Sequence, residues 1–335
     1  MNPQKTFSQK ITDTGTLLRS TFNLFWLGGY ELKKPTVKTS IYAGINTLFF
    51  YLAILSLLWF THNPVYTIGI FLILISIWII LKVYGIFYFI RAKADQALIV
   101  HNHIKGIPIT YEKAHEMNDE EVYKIRGIAF IDLLIKSSSA ASQVKVNAGP
   151  QPSIGLSGIR AMILGIFFSF LSEVWDLVSN YMLPAVVIEK KPIREIVPNL
   201  KLLKNNIPGT LAGVFAIDFA GSIISVLFTW IYSATLAIFG ILFFLLMGPG
   251  AVAGQKAFLI CVVPTFIILM TVSIVSSVYS RIIDSVKTVY FSCFYTTLAY
   301  PEVIIAEYRQ TVEDYLNYKP SGDQINLVTQ QVTIT

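Results

Sequence analysis

The sequence predicts an all-α, polytopic transmembrane helix bundle of about six spans, with long fifth and sixth helices and an N-terminal interfacial helix. Three observations lead there. Hydrophobic residues make up 54% of the chain and charged residues 14%, where a soluble domain carries about a quarter charged. Several uncharged runs reach the roughly 20 residues that cross a bilayer as a helix. Lys and Arg collect beside the ends of those runs, the pattern that orients spans with basic flanks inside.

Residues 1–40 form an expected cytoplasmic segment. They carry Lys5, Lys10, Arg19, Lys33, Lys34 and Lys38 against Asp13 and Glu31. Leu17, Leu18, Phe22, Phe25 and Trp26 recur at helical spacing, which predicts a helix lying in the headgroup region and ended by Gly28-Gly29. Residues 1–15 are polar and lack the apolar core of a signal peptide.

The transmembrane domain is expected over 41–300. Ile41 to Phe60 has no charge, Thr61-His62-Asn63-Pro64 is a tight turn, and Val65 to Ile90 returns, with Lys82 placed to snorkel and Arg91 and Lys93 closing the span. Residues 91–126 read as a cytoplasmic helical loop. Within it Thr110 caps a helix over Tyr111 to Met117, and Asn118 with Glu121 resembles a capping box for the next helix.

That next helix, Val122 to Ser142, is only semi-apolar, and Asp132 and Lys136 stand four apart so that they pair on one face. Charge bias decides its role. Residues 189–206 hold five Lys or Arg (Lys190, Lys191, Arg194, Lys201, Lys204), whereas 143–157 hold one. If 122–142 stayed inside, the run Met162 to Ile188 would carry that basic segment outside, so 122–142 is taken as the third span. The 189–206 segment, with Pro192 and Pro198 at first helical positions, is expected to lie along the anionic inner membrane face.

From Asn205 to Gln255 the one charge is Asp218. Residues 229–235 (TWIYSAT) offer no hairpin turn, which favours one long helix over two spans. Ala257 to Ser280 is the last span, continuing amphipathically to Tyr300. A cytoplasmic helix and tail occupy 301–335.

Composition excludes some classes. The basic residues follow the spans instead of forming a surface of their own, so the net charge of +6 argues for membrane topology and anionic lipid, not nucleic acid. Cys261 and Cys293 lie in apolar surroundings and form no disulfide framework. His101, His103, Glu112, His115 and Glu116 match no metal spacing and read as a solvated polar face. Ser137-Ser138-Ser139 lacks a nucleophile context, and no phosphate-cradling glycine loop occurs. No enzyme, cofactor or metal is expected.

Ionisable residues inside spans are functional candidates. Asp218 falls in an uncharged run, read as near the membrane centre. Glu173 and Asp176, three apart, share a helical face beside Trp175. Asp132 and Lys136 complete the buried-polar set. Each has two readings: a transport group, or a carboxylate hydrogen-bonded between helices.

Three stretches also resemble an uncharacterised prokaryotic family of polytopic integral membrane proteins akin to the membrane domain of some glycerophosphodiester phosphodiesterases. They are LLRSTFNLFWLGGYELKKP, YEKAHEMNDEEVYKIRGIAFIDLL and LPAVVIEKKPIREIVPNLKLLKNN, with YFSCFYTTLAYPE closing the domain. Arg194 precedes Glu195, and Asn199 stands where the family often has Ser. The resemblance implies six spans with both termini inside and offers no catalytic residues. Taken together, these readings predict a plasma (cytoplasmic) membrane protein, a non-enzymatic scaffold or accessory subunit with a protein partner or a homo-oligomer. The alternative is a transporter or channel using the carboxylates.

Overall fold

A computed structural model describes residues 25–26, 29–57, 64–147, 175, 178–191, 195, 207–246 and 258–306. Every described element is helical: α1 Gly29–Leu57, α2 Pro64–Ile104, α3 Tyr111–Asp119, α4 Val122–Asn147, α5 over 178–189, α6 Ile207–Leu246 and α7 Val263–Ala299, which follows a short π-helix at Phe258–Val262. Four of these (α1, α2, 217–246 of α6, and 260–297) are long and apolar enough to cross a membrane.

The chain divides into two compact units, one of residues 36–85 and 214–284, the other of 1–35, 86–213 and 285–335. The first unit turns its apolar side chains outward. Ile73, Ile80, Val226, Trp230, Phe244 and Leu245 are all exposed, which in water would be untenable over such lengths and in lipid is ordinary.

Its polar groups face one another. The Tyr51 hydroxyl lies 2.5 Å from that of Ser273, which also meets the Tyr232 hydroxyl at 2.7 Å, and Thr47 meets Ser277 at 2.9 Å. These bonds join α1, α6 and α7 as small hydroxyls do between helices in hydrocarbon. Gly44 faces Ile274 in the same seam, where a Cβ would stand at an ordinary contact distance of 3.6 Å.

Residues 205–255 contain one unbroken helix, α6, of 40 residues, about 60 Å at 1.5 Å per residue. This agrees with the single long helix expected there. The boundaries expected at 40/41 and 90/91 fall inside α1 and α2. In particular α2 passes Arg91 without a break and runs on to Ile104.

It stops there for a local reason. The Ile107 N–H donates to Asn102 C=O (3.0 Å) and Gly106 N–H to His103 C=O (3.0 Å), with Gly106 at φ +75°. This is a Schellman ending, in which glycine takes the left-handed position. The Thr110 hydroxyl then accepts from Lys113 N–H at 3.3 Å and starts α3, as expected.

Most of the N-terminal interfacial helix lies outside the described residues. Of its apolar set, Phe25 is buried and Trp26 exposed, with the Lys33 ammonium 4.0 Å over the Trp26 ring. The basic stretch 192–194 and 196–206 also lies outside the described residues.

Candidate functional site

The second unit is organised by the last third of α2. Residues 94–101 are buried without interruption. Ala92, Ala94 and Ala97 are small enough to admit neighbouring helices, while Leu98, Ile99 and Val100 fill the space between. At 3.6 residues per turn Lys93, Asp95, Gln96 and His101 point in different directions. A helix enclosed all round must satisfy each polar group with a different neighbour.

Asp95 is fully enclosed. Asn118 Nδ2 of α3 bonds one carboxylate oxygen at 2.9 Å, and His115 Nδ1 lies 2.7 Å from the other. His115 stacks on Tyr111, with ring centroids 5.6 Å apart. Burial, and then the Asp95 charge, push the Tyr111 phenol above its usual range. A second carboxylate seats the start of α3, because Glu31 of α1 accepts the Tyr111 N–H at 2.7 Å. This end is where helix dipoles favour negative charge. Lys34 pairs with Glu112 at 2.7 Å beside it.

Gln96 faces the other way. Its amide nitrogen bonds the Leu32 carbonyl of α1 at 3.1 Å, and its oxygen accepts from Ser285 of α7 at 2.8 Å. His101 meets the Thr296 hydroxyl at 3.0 Å and is buried, a correction to the solvated polar face expected of the histidines. The α7 segment it meets, 285–297, is likewise buried throughout.

Lys93 turns toward α4 and α5. Its ammonium lies 3.4 Å from the Asn180 amide oxygen. Together with Asp132, Ser179, Ile90, Ile128 and Leu183 these residues line a cavity of about 20 Å³, room for about one water. Asp132 and Asn180 are both buried. The cation sharing this cavity with Asp132 is Lys93. The Lys136 side chain, expected as the partner, lies outside the described residues.

Asn118 corrects another expectation. Its side chain does not cap α4, because Asn118 lies within α3 while α4 begins only at Val122, and its Nδ2 donates to Asp95 instead. The turn into α4 is held instead by Glu121 N–H donating to Asn118 C=O at 3.1 Å.

Asp218 stands elsewhere than expected. Gly221 abuts Ile283, Phe228 stacks edge-on with Tyr279, and Tyr232 bonds Ser273. Numbers fall along α6 as they rise along α7, so the helices are antiparallel. Asp218 therefore lies level with Asp284 or beyond it, past the Arg281–Asp284 pair (3.1 Å) where the apolar run of α7 ends. It is half-buried, and Ser222 donates to its carbonyl at 2.5 Å. Its neighbours along α7 are thus the charged residues that follow the apolar run of that helix.

Lys190 and Lys191 are engaged with protein carboxylates. Lys190 ends α5 at φ +56° and pairs with Glu120 at 3.0 Å, while Lys191 lies 3.4 Å from Glu189. The Glu189 side chain is almost enclosed and accepts a hydrogen bond from the Tyr295 hydroxyl. Close by, burial pushes the Tyr300 phenol up to about 12, with the Glu189 and Glu302 charges adding, so it stays protonated. Glu173, Asp176, Arg194, Lys201 and Lys204 lie outside the described residues.

Asp95, Gln96 and Glu189 were not singled out from sequence. The signal for the first two was the small-residue spacing Ala92, Ala94, Ala97 followed by Leu98-Ile99-Val100, which marks close helix packing inside a stretch otherwise read as polar. Among the described residues no group of three or more His, Cys, Asp or Glu is arranged to hold a metal. No protein-family model, curated protein or solved structure matches the chain.

Proposed function

We propose that this chain is a non-enzymatic scaffold or accessory subunit of a membrane assembly. The observation that supports the reading most directly is the closure of Asp95. A carboxylate in a transport path exchanges its ligands with water or ions. The Asp95 oxygens are instead held by Asn118 and His115 inside packed helices. Bonds of this kind make a unit rigid and do not open a route through it. The same reading takes the chain as a six-span protein of the plasma membrane with both termini in the cytoplasm, in keeping with the family its three stretches resemble.

Crosslinking in native membranes, followed by purification and sizing, tests it. A stoichiometric complex, hetero- or homo-oligomeric, is the expected result. A lone monomer in membranes, crosslinked or not, would refute the assembly role.

One observation favours the alternative, a transporter or channel. Lys93, Asp132 and Asn180 converge on a small polar cavity, and opposite charges around a water-sized space suit a proton or ion. Asp132→Asn and Asp218→Asn variants that fold normally yet abolish a measured flux would establish that reading. Normal flux in both would remove it.

A further inference from the structure

Lys82 is a basic residue on a lipid-facing stretch of α2. Ile80, Val83 and Tyr84 around it are all exposed, and Lys82 itself is exposed. Among the described residues no carboxylate pairs with it. Its charged neighbour is Arg281 of α7, close enough to repel it. Arg281 has its own counter-charge in Asp284 at 3.1 Å. The three groups sum to one positive charge, with Lys82 outermost.

The level of this charge follows from helix geometry. From Val65 to Lys82, α2 rises about 26 Å, and from Ile260 to Arg281 the chain rises about 32 Å. Both match the roughly 30 Å thickness of bilayer hydrocarbon, so two helices independently bring their cations to the same boundary. Aromatics mark it as well. The Tyr42 and Tyr84 rings lie 6.1 Å apart, and the Tyr42 hydroxyl donates to Leu81 C=O at 2.6 Å. Tyrosines settle at this depth because their bodies are apolar and their hydroxyls wet.

We propose that Lys82, backed by Arg281 and flanked by Tyr84, binds the phosphate of an anionic phospholipid at this boundary. The headgroup supplies the negative charge that two neighbouring cations and one carboxylate leave wanting. The acyl chains lie along Ile80 and the exposed face of α2. The inference rests on α2 and α7 spanning the membrane, and not on the scaffold reading.

The test uses the full chain purified in detergent and reconstituted into nanodiscs of defined lipid. Retained lipid is counted by native mass spectrometry, and thermal unfolding is followed in phosphatidylglycerol against phosphatidylcholine. Wild type is expected to retain phosphatidylglycerol and to unfold at a higher temperature in it. Lys82→Gln is expected to weaken that binding about fivefold, the factor equivalent to roughly 1 kcal/mol for one basic residue near an anionic surface. Lys82→Arg should keep it, and Lys113→Gln, an exposed lysine on α3, should leave it unchanged.

Equal retention by Lys82→Gln and wild type would overturn the proposal. So would equal stabilisation by the two lipids in wild type, a comparison that needs no variant. Stabilisation by inorganic phosphate as strong as by phosphatidylglycerol would overturn the lipid assignment in favour of a free anion. Release of wild type from native membranes by an alkaline carbonate wash would refute the spanning itself. Membrane retention together with an unaltered Lys82→Gln variant would remove only the site.

Discussion

Removing the Asp95 carboxylate should undock α3 without unfolding the chain. The helix has nine residues, fewer than the 12–15 or so that hold a helix together alone in water, so it depends on its contacts. Asp95→Ala takes the acceptor from Asn118 Nδ2 at 2.9 Å and from His115 at 2.7 Å. Asn118 is 1% exposed, so its amide is left buried and unbonded, a cost of about 1–3 kcal/mol. The His115 side chain is 39% exposed and turns to water, so its share is below about 1 kcal/mol. The sum is roughly 1–4 kcal/mol.

That loss should appear as faster amide exchange. Every 1.4 kcal/mol is tenfold, so peptides covering residues 111–121 should exchange between about fivefold and several hundred-fold faster. Peptides from 36–57 should be unaffected. Asp95→Asn should cost less than Asp95→Ala, because its amide oxygen still accepts from Asn118. In a double-mutant cycle, Asp95→Ala and Asn118→Ala should be non-additive, since each breaks the same bond. Hydrogen exchange read by mass spectrometry on detergent-purified protein decides the matter. Unchanged protection over 111–121 in a folded Asp95→Ala protein would refute the reasoning.

Gly106→Ala should destabilise the end of α2 by about 1–2 kcal/mol, because the left-handed conformation disfavours a Cβ. That Cβ would also meet Ile305 at 3.0 Å, and a thermal melt in detergent checks the combined effect. Ser273→Ala removes one hydroxyl from two tyrosine partners and should cost about 0.6–1.7 kcal/mol per bond, read from reversible unfolding in mixed micelles. Cysteines introduced at Gln143 and Gly155 should react with an impermeant thiol reagent from outside the cell, as the third span over 122–142 requires. Labelling only after permeabilisation would leave α4 on the inner face.

The long apolar helices were legible because hydrocarbon demands uncharged runs of a set length, and Thr110 because a cap acts on residues three positions away. The course of α2 beyond Arg91 was not. Arg91, Lys93 and Asp95 look like a solvent signal, and the rule that charge ends a span is sound when nothing covers the charge. Here Asp119 answers Arg91, Asn180 answers Lys93, and His115 with Asn118 answers Asp95. Those partners stand 20 to 87 residues away, outside any local window. The same distance hid the Asn118 role, since the local pattern favoured a cap, whereas Asn118 lies inside α3 and its Nδ2 donates to a remote carboxylate. The stop at Gly106 was open to reading. Lys105-Gly106-Ile107-Pro108 has the glycine and following proline of a helix end.

The level of Asp218 changes the weight of the functional argument. A carboxylate at mid-membrane costs about 2.5–3.5 kcal/mol, and such a cost, if borne, calls for a compensating role such as transport. Level with the Arg281–Asp284 pair, the carboxylate stands beside charged groups of α7 and not in a wholly apolar stretch, which lowers the cost a transport role would have to explain. Sequence distance from the nearest charge, which made Asp218 stand out, measures isolation along the chain and not depth. Depth comes from which residues the helix passes, and Gly221 against Ile283 brings Asp218 to the boundary where Lys82 and Arg281 also stand. Acid and base there form a polar rim around an apolar bundle, an arrangement that holds helices at a set height in the bilayer whether or not anything crosses it.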